Sequence, residues 1–227
     1  MAVWEEFLSE DDKKVLEIRK PRELNGPGSR QALLVIDMQM TAIGYDKPIW
    51  EQLDEYSGAC GPHAWKSIPY QQKMIGAARE VGMPVIYSKH VFHPYMGLPR
   101  AAPGDNFSSL SHKSEIPDEL VMQEGDILIE KQTPSCFAYT NLPLILKHYE
   151  IDGLLVMGNS TSGCVRATVV DGRAAGYAVS VIEECVFDRI ELSHAAALFD
   201  MQFKYCDVIS ADEALAIIDG TAEEIAA

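Results

Sequence analysis

The stretch that decides the fold lies past the middle of the chain and runs Leu154-Leu155-Val156-Met157-Gly158-Asn159-Ser160-Thr161-Ser162-Gly163-Cys164-Val165-Arg166-Ala167. An apolar run of strand character ends at Gly158, a short polar turn follows, and a helical segment begins near Cys164. A strand–turn–helix junction presents backbone N–H groups and the positive end of a helix dipole to the turn. That environment favours the thiolate, which is the nucleophilic form of cysteine. The stretch therefore predicts a candidate nucleophile, Cys164, at the end of a buried strand.

The rest of the chain alternates apolar runs with helical patterns, which is typical of βαβ units. Strand-like runs lie near 31–37, 84–89, 126–131, 154–158, 177–183 and 206–209, and helical patterns near 5–20, 70–81, 140–149, 162–175, 193–205 and 211–219. We expect an α/β fold: a doubly wound, mostly parallel six-stranded sheet flanked by helices on both faces, Rossmann-like and three-layered. Ser193 and Ser210 are the expected N-caps of the last two helices. We expect a single domain over residues 1–227, with an N-terminal helical extension over about 1–29.

The bulk composition limits the classes of partner. The chain has 227 residues with 34 acidic and 19 basic side chains, a net charge of −15. Nucleic acids and anionic membranes want a basic patch, so we expect neither as a partner. Five widely spaced cysteines without a CxxC pair suggest neither a zinc site nor a disulfide framework. The acidic first residues lack the apolar run of a secretory signal, so we expect a cytoplasmic protein.

Three strand-like runs end on chemically active residues: Asp37, Lys131 and Cys164. The carboxyl ends of parallel strands lie along one edge of a sheet, so these side chains are expected to converge there. Lys131 would lower the thiol pKa by its charge, and Asp37 could carry the thiol proton to a leaving group. Singly, each residue has a plainer explanation: a small buried thiol, a solvated strand end, a turn or helix cap. The same position on three strands favours a shared site.

The motifs around these residues resemble those of the isochorismatase-like cysteine hydrolases. The matching stretches are Leu34-Val35-Ile36-Asp37-Met38-Gln39, Glu130-Lys131-Gln132-Thr133-Pro134-Ser135-Cys136-Phe137 and Gly158-Asn159-Ser160-Thr161-Ser162-Gly163-Cys164-Val165, with a further likeness over 198–208. The resemblance covers about residues 30–215. The segment Thr161-Ser162-Gly163-Cys164-Val165-Arg166-Ala167-Thr168 is most similar to the branch of N-carbamoylsarcosine amidases and maleamate-type amidohydrolases.

The resemblance implies a reaction and the residues for it. The implied catalytic triad is Asp37, Lys131 and Cys164, and the implied reaction is hydrolysis of the C–N bond of a small linear amide, N-carbamoyl or ureido compound. A thioester forms on the cysteine and ammonia is released. The family also has a cis peptide bond that maps to Asn159–Ser160. It would turn the Ser160 N–H inward, so that the backbone N–H groups of Ser160 and Cys164 form an oxyanion hole.

Several alternatives stay open at this point. Maleamate-type or nicotinamide-type deamidation is the alternative within the enzymes, and a non-catalytic binding protein or a thiol redox protein with Cys136 as resolving cysteine are alternatives from other classes. Metal-binding nicotinamidases of the superfamily carry an Asp-x-His pair, which residues 38–69 lack, so we expect no cofactor and no metal. Whether His90, His93 or His112 enters the pocket is open, since all three lie in a region without clear periodicity.

The remaining expectations concern recognition and assembly. The candidate substrate-binding residues are Gln39, Phe137, Asn159, Thr161, Arg166 and Gln202. Arg166 is read either as a carboxylate reader or, as we favour, a member of an intersubunit ion pair. Gln39 is expected to reach substrate or to hold a loop, and Cys136, Cys185 and Cys206 to be packing residues. The resemblance implies a homodimer or homotetramer, with the N-terminal helix and the aromatic loop at 45–65 as contact elements.

Overall fold

The core is a six-stranded, fully parallel sheet. The computed structural model describes residues 2–19, 26–91 and 112–225. The strands are β1 (Gln31–Ile36), β2 (Val85–His90), β3 (Ile127–Lys131), β4 (Gly153–Asn159), β5 (Ala178–Phe187) and β6 (Asp207–Ile209), in the spatial order β3-β2-β1-β4-β5-β6. Neighbouring strands pair in parallel throughout. The predicted doubly wound α/β sheet is confirmed.

Helices cover both faces of the sheet. They are α1 (Glu10–Arg19), α2 (Met40–Ile43), α3 (Pro62–Glu80), α4 (Leu142–His148), α5 (Arg166–Ala174), α6 (Glu191–Lys204) and α7 (Ala211–Ile225). One apolar core lies between the sheet and helices α3 and α7, with Met74 and Ile218 fully buried. The other lies between the sheet and helices α4, α5 and α6, with Leu146, Val169 and Leu198 fully buried. The fold is therefore three layers thick, because parallel strands have two apolar faces to cover.

The strand order reverses at β1, which places a crevice there. From β1 the chain adds β2 and β3 on one side and β4, β5 and β6 on the other. At such a reversal the connections leave the carboxyl edge of the sheet in opposite directions and open a crevice between neighbouring strands. Asp37 follows β1 directly, and the turn that carries Cys164 follows β4. The fold thus brings Asp37 and Cys164 to the crevice where the strand order reverses.

Two glycines allow the chain to approach β4 closely. Gly158 has φ 111°, and a Cβ there would lie 2.1 Å from the Ile36 carbonyl oxygen on the neighbouring strand β1. A Cβ on Gly153, at the start of the same strand, would lie 1.9 Å from the Pro27 carbonyl oxygen. Both distances are far inside van der Waals contact, so only glycine fits at either position.

Several element boundaries differ from the predictions. Helix α3 begins at Pro62, eight residues before the predicted start, because Pro62 occupies the first turn and the helix accommodates Pro69 in its interior. Strand β5 extends to Phe187 rather than 183. The predicted cap Ser193 is wrong, since α6 begins at Glu191 with Ile190 at the N-cap position. The predicted cap Ser210 is confirmed: its hydroxyl accepts the Glu213 N–H at 3.2 Å, while Glu213 accepts the Ser210 N–H at 2.8 Å.

Exposed apolar side chains occur on both elements predicted to make subunit contacts. Helix α1 buries none of its residues, and Val15 and Ile18 are 57% and 83% exposed. In the aromatic loop, Trp50 is 78% exposed. Both observations are compatible with an assembly, which stays a prediction. Within the described ranges, no helix combines the length and the apolarity that crossing a bilayer requires.

Candidate active site

Asp37 is held in place by the two strands beside β1. Its backbone has φ 50°, which turns the residue out of the strand as β1 ends. The Ser88 hydroxyl on β2 donates to Asp37 Oδ1 at 2.6 Å, and the Asn159 amide on β4 donates to the Asp37 carbonyl oxygen at 2.6 Å. The carboxylate is buried, at 4% exposure. Because neighbours on both sides fix it, its orientation is set before any substrate arrives.

Lys131 joins the carboxylate to the thiol. Its ammonium nitrogen lies 2.6 Å from Asp37 Oδ2, 3.3 Å from Cys164 Sγ and 3.2 Å from the Thr133 carbonyl oxygen. An ammonium has three N–H donors, so these three acceptors satisfy it completely. The residue is 2% exposed. The predicted convergence of Asp37, Lys131 and Cys164 is therefore present as a contiguous buried cluster at the carboxyl edge of the sheet.

Cys164 lies in a kinked turn over Thr161–Val165 that joins β4 to α5. The kink is at Gly163, whose φ and ψ are −109° and −105°. The Ser160 carbonyl oxygen accepts the N–H groups of Gly163 at 2.9 Å and Val165 at 3.2 Å, which closes the turn. The peptide bond between Asn159 and Ser160 is cis, at the position that the resemblance implied. Cys164, the candidate nucleophile, is half-buried, so part of the residue is exposed and a substrate could approach it.

The electrostatics of the cluster differ from the expectation for the thiol. Burial raises the pKa of the Cys164 thiol, the Asp37 charge raises it further, and the opposing effect of Lys131 is smaller. Lys131 lowers the thiol pKa by its charge, as expected, but burial and the Asp37 charge outweigh it, so the environment does not favour the thiolate as the strand–turn–helix junction predicted. Burial lowers the pKa of Lys131 and is the largest single effect, but the charges of Asp37, Cys164 and Cys136 and the hydrogen bond to Asp37 together outweigh it, so the net pKa is raised. The raised pKa values favour the ammonium form of Lys131 and the protonated thiol of Cys164.

Two side chains from the segment that follows β5, the strand next to β4, anchor the turn. Asp188, just after β5, accepts the Ser162 N–H at 2.9 Å and the Ser162 hydroxyl at 2.6 Å. His194 on α6 shares a hydrogen bond of 2.8 Å with the Thr161 hydroxyl through Nδ1. Burial lowers the pKa of His194, with Asp188 opposing that shift, so the ring favours its neutral form. Asp188 and His194 thus fix the backbone on which Cys164 is carried.

Three of the predicted substrate-binding residues have structural partners beside the cluster. Gln39 donates to the carbonyl oxygens of His90 and Ser114, each at 3.2 Å, and accepts the His90 N–H at 2.7 Å. It therefore holds a loop, one of the two expected roles. Asn159 holds the Asp37 carbonyl and Thr161 bonds to His194, as described above. All three are at the site edge and buried.

The other three predicted substrate-binding residues make contacts elsewhere. Phe137 packs against the Tyr177 ring with centroids 5.7 Å apart. The Gln202 oxygen accepts the Val208 N–H at 2.6 Å and fixes the start of β6. Arg166 pairs within the chain, with Asp200 on α6 at 3.4 Å, so the ion pair favoured as intersubunit is intramolecular here.

The histidines left open by the sequence separate in the structure. His90 ends β2, and its ring lies with Asp37 and Cys164 in a set whose candidate ligand atoms are all within 4.8 Å of one another. The Lys131 ammonium touches two members of that set, so a divalent cation would meet a buried positive charge there. His93 lies outside the described residues, as do the pocket candidates Phe92 and Phe107. The side chain of His112 is likewise outside them.

The expectations for the other cysteines are confirmed. Cys136, Cys185 and Cys206 are each at most 1% exposed, and all five cysteines are free thiols. Cys136 lies near the cluster, but burial raises its pKa and its backbone N–H is held by Thr168 at 3.0 Å. A fully buried thiol with a raised pKa is a poor resolving cysteine, which disfavours the redox alternative.

A cavity of about 560 Å³ lies behind the turn that carries Cys164. It is enclosed by the N-terminal segment, the first half of α3, the end of β5 and the start of α6, and its lining includes His63, Asp188 and His194. Asp37, Lys131 and Cys164 do not line it. The cavity therefore contacts the residues that anchor the turn and is separate from the cluster of Asp37, Lys131 and Cys164.

Sequence reasoning missed Ser88, Asp188 and His194. Ser88 could have been found from the sequence, because it lies one residue before the end of the predicted strand 84–89. That position is close to the sheet edge at which Asp37, Lys131 and Cys164 were expected. Asp188 was hidden by the underestimated length of β5, which was predicted to end at 183. His194 looked like an ordinary position on an amphipathic helix, and no periodicity marks its bond to Thr161 across 33 residues.

Comparison with known proteins places this geometry in a family. Residues 31–213 match the family model described as the Isochorismatase domain. The chain belongs to the isochorismatase family. It is 32% identical over 203 residues to an N-carbamoylsarcosine amidase from Arthrobacter, with 86% of this chain and 73% of the relative covered. It is 29% identical over 203 residues to a maleamate amidohydrolase from Pseudomonas putida, with 84% and 87% covered.

A solved structure extends the likeness to three dimensions. The crystal structure of an N-carbamoylsarcosine amidase from Thermoplasma acidophilum superposes with a TM-score of 0.62 at 27% identity, covering 81% of this chain and 98% of the other. The family match spans all six strands, and therefore all three residues of the cluster.

Proposed function

We propose that this protein is a cysteine amidohydrolase in which Cys164 is the nucleophile, Asp37 the proton carrier and Lys131 the electrostatic bridge. The observation that carries the proposal is the buried Lys131 ammonium in contact with both the Asp37 carboxylate and Cys164 Sγ. A binding protein has no need of a buried carboxylate–ammonium–thiol cluster, which costs desolvation energy to maintain. The N-carbamoylsarcosine amidase and the maleamate amidohydrolase to which the chain is similar both bear the names of amide hydrolases.

The chemistry follows from the protonation states of the resting cluster. As Cys164 Sγ attacks the carbonyl carbon of an amide, its proton passes to the Asp37 carboxylate, which lies 2.6 Å from the Lys131 ammonium. The sulfur–carbon bond forms and the carbonyl π electrons move to oxygen. The raised thiol pKa makes this transfer necessary, because little thiolate exists before attack. Lys131 then faces the developing charge and stabilises it.

The second half of the cycle returns the proton. The tetrahedral oxyanion is held by the backbone N–H groups of Ser160 and Cys164, which the kinked turn carries. When the C–N bond breaks, the proton on Asp37 moves to nitrogen and ammonia leaves, with a thioester on Cys164. Asp37 next takes a proton from water as that water attacks the thioester. The C–S bond then breaks, and the proton on Asp37 returns to Cys164 Sγ. The products are a carboxylic acid and the regenerated thiol, so atoms and charge balance.

The proposed substrate class is a small linear amide, N-carbamoyl or ureido compound. It rests on the named relatives, which include an N-carbamoylsarcosine amidase and a ureidoacrylate amidohydrolase from Yersinia enterocolitica that is 26% identical. Maleamate-type deamidation is the second candidate, favoured by the 29% identity to the maleamate amidohydrolase over most of both chains. Both candidates use the same acyl-enzyme chemistry and differ in the acyl group.

The test is a screen for ammonia release from N-carbamoyl amino acids, maleamate, ureidoacrylate, biuret and nicotinamide. We expect turnover of at least one, loss of turnover in Cys164→Ser, and retention in Cys185→Ala, which removes a buried thiol away from the cluster. Mass spectrometry of quenched wild-type enzyme should show one acyl group on Cys164. Turnover of none of these amides would refute the amidohydrolase proposal, and an active Cys164→Ser variant would refute the nucleophile assignment.

A further inference from the structure

His90 is the fourth strand-end residue at the reacting cluster. It is the last residue of β2 and lies directly beside Lys131 in the sheet register. Side chains alternate along a strand, so His90 faces the same side as Ser88, whose hydroxyl holds the Asp37 carboxylate. One of its ring nitrogens lies within 4.8 Å of both an Asp37 carboxylate oxygen and Cys164 Sγ. Four adjacent strands of the sheet, β3, β2, β1 and β4, thus each deliver one side chain to a single point.

The backbone of His90 is fixed more firmly than a strand end normally is. Gln39 bonds both the N–H and the carbonyl oxygen of His90, at 2.7 Å and 3.2 Å. The same amide also reaches the Ser114 carbonyl oxygen, so it ties β2 to the chain segment that follows the undescribed stretch. Because both backbone polar groups of His90 are hydrogen-bonded, its side chain is held at a set distance from the cluster.

The distance identifies what the ring can touch. In the tetrahedral intermediate, the leaving nitrogen lies two bonds from Cys164 Sγ. A hydrogen bond of about 2.9 Å from that leaving nitrogen can reach the His90 ring nitrogen, which lies within 4.8 Å of Cys164 Sγ. The same nitrogen must also face Asp37, which protonates it, and the ring lies within 4.8 Å of that carboxylate as well. A group that neighbours both the proton carrier and the sulfur is placed at the leaving group.

We propose, on the basis of the proposed amidohydrolase function, that His90 is a further catalytic residue that holds the leaving group. A neutral imidazole has one nitrogen that accepts a hydrogen bond. That nitrogen accepts an N–H of the substrate –NH₂ group, which turns the nitrogen lone pair toward the proton on Asp37. The C–N bond then breaks, the proton moves from Asp37 to nitrogen, and ammonia leaves. In deacylation the attacking water takes the same place, giving one proton to Asp37 and donating the other in a hydrogen bond to His90.

The experiment compares leaving groups in wild type, His90→Ala and His90→Gln. Primary amides require a proton on the departing nitrogen, whereas p-nitrophenyl acetate expels a phenolate that does not. We expect His90→Ala to lower kcat/KM for the best amide found in the screen by about 10²-fold and that for the ester by less than about 5-fold. His90→Gln, which keeps an acceptor oxygen, should recover part of the loss on the amide. His148→Gln, at the far end of α4, is the matched control and should behave as wild type.

Alkylation of Cys164 separates this role from thiol activation. The rate of reaction with iodoacetamide should stay within about 2-fold of wild type in His90→Ala, because Asp37 and Lys131 still act on the thiol. An equal loss on amide and ester, a large fall in alkylation rate, or no loss on the amide would each overturn the assignment.

A readout without turnover distinguishes failure of this inference from failure of the proposed function. If wild type releases ammonia from no amide, the proposed function fails, but the placement of His90 can still be measured. Carbamidomethylation of Cys164 attaches a primary amide to Sγ. The ring proton signals of His90, assigned by their absence in His90→Gln, should shift on that modification, while those of His148 should not. Unshifted His90 signals would overturn the inference.

Discussion

Replacing Lys131 by methionine is expected to destabilise the protein far more than replacing the whole ion pair. Lys131 and Asp37 have side chains 0% and 6% exposed, and their charged atoms are 2.6 Å apart. Lys131→Met leaves the Asp37 carboxylate buried without its counter-ion, which costs about 3–5 kcal/mol of the free energy of unfolding. In Asp37→Asn/Lys131→Met no charge of the pair remains, and the Ser88 hydroxyl can still bond to the amide oxygen.

The assay is urea unfolding followed by circular dichroism, with all four members of the double-mutant cycle. With a slope of about 3 kcal/mol per M for a chain of this size, the Lys131→Met midpoint should fall by about 1–1.7 M. The double variant should lose less than the sum of the two single variants, with a coupling energy of about 1–3 kcal/mol. All three variants should lack amidase activity. Because unfolding is measured without substrate, the stability comparison does not depend on turnover.

Two results would refute this reasoning. If Lys131→Met unfolds within about 1 kcal/mol of wild type, the Asp37 carboxylate is not held as a buried charge by the lysine. If the single-variant losses add within about 0.5 kcal/mol in the double variant, the two side chains are not energetically coupled, whatever their separation.

Three further predictions follow from other parts of the molecule. Gly158→Ala should lower the free energy of unfolding by more than about 3 kcal/mol in the same urea assay, because its Cβ would lie 2.1 Å from the Ile36 carbonyl oxygen. The control is Gly76→Ala, in α3, where a Cβ would meet open space. This variant should have unchanged stability or be more stable by up to about 1 kcal/mol. Since the pKa of His194 is lowered from 6.5, the unfolded chain binds more protons than the native one below that pH, so stability should fall as pH drops through 6.5 toward the native pKa. His194→Asn should flatten this part of the profile in thermal melts at pH 5–7, and an unchanged slope would contradict the assignment. Asp200→Asn removes the partner of the part-exposed Arg166 and should change stability by less than about 1 kcal/mol by chemical denaturation, a larger loss meaning that the pair is more than a surface contact.

The predictability of the site depended on where each residue lies relative to a strand end. Asp37, Lys131 and Cys164 follow apolar runs, and the parallel topology brings such ends to one edge, so a one-dimensional pattern was sufficient to group them. Ser88 and His90 occupy alternate positions at the end of β2, yet the sequence did not distinguish His90 from an exposed loop histidine. His90 was not recognised as a strand-end residue because the predicted strand ended one residue early, at Lys89.

The substrate-binding predictions show the limit of proximity along the chain. Gln39, Asn159 and Thr161 are near the cluster, but the structure uses their polar groups to hold backbone and turn. Gln202 and Arg166 lie on helices whose rotation about their axes decides the partner, and that rotation follows from core packing. The direction of the thiol pKa was also wrong from sequence, because it depends on burial and on which charge is already paired.

By itself the sequence determined the α/β class, the three side chains of the proposed catalytic cluster and the turn that carries Cys164. Apolar periodicity and glycine position are local properties, and the parallel sheet converts them into a shared edge. Only the tertiary structure decided that Lys131 bridges Asp37 and Cys164, that Asp188 and His194 anchor the nucleophile turn, and that His90 joins the cluster. These contacts join residues 26–127 positions apart, and their distances are set by the packing of strands and helices that no local pattern encodes.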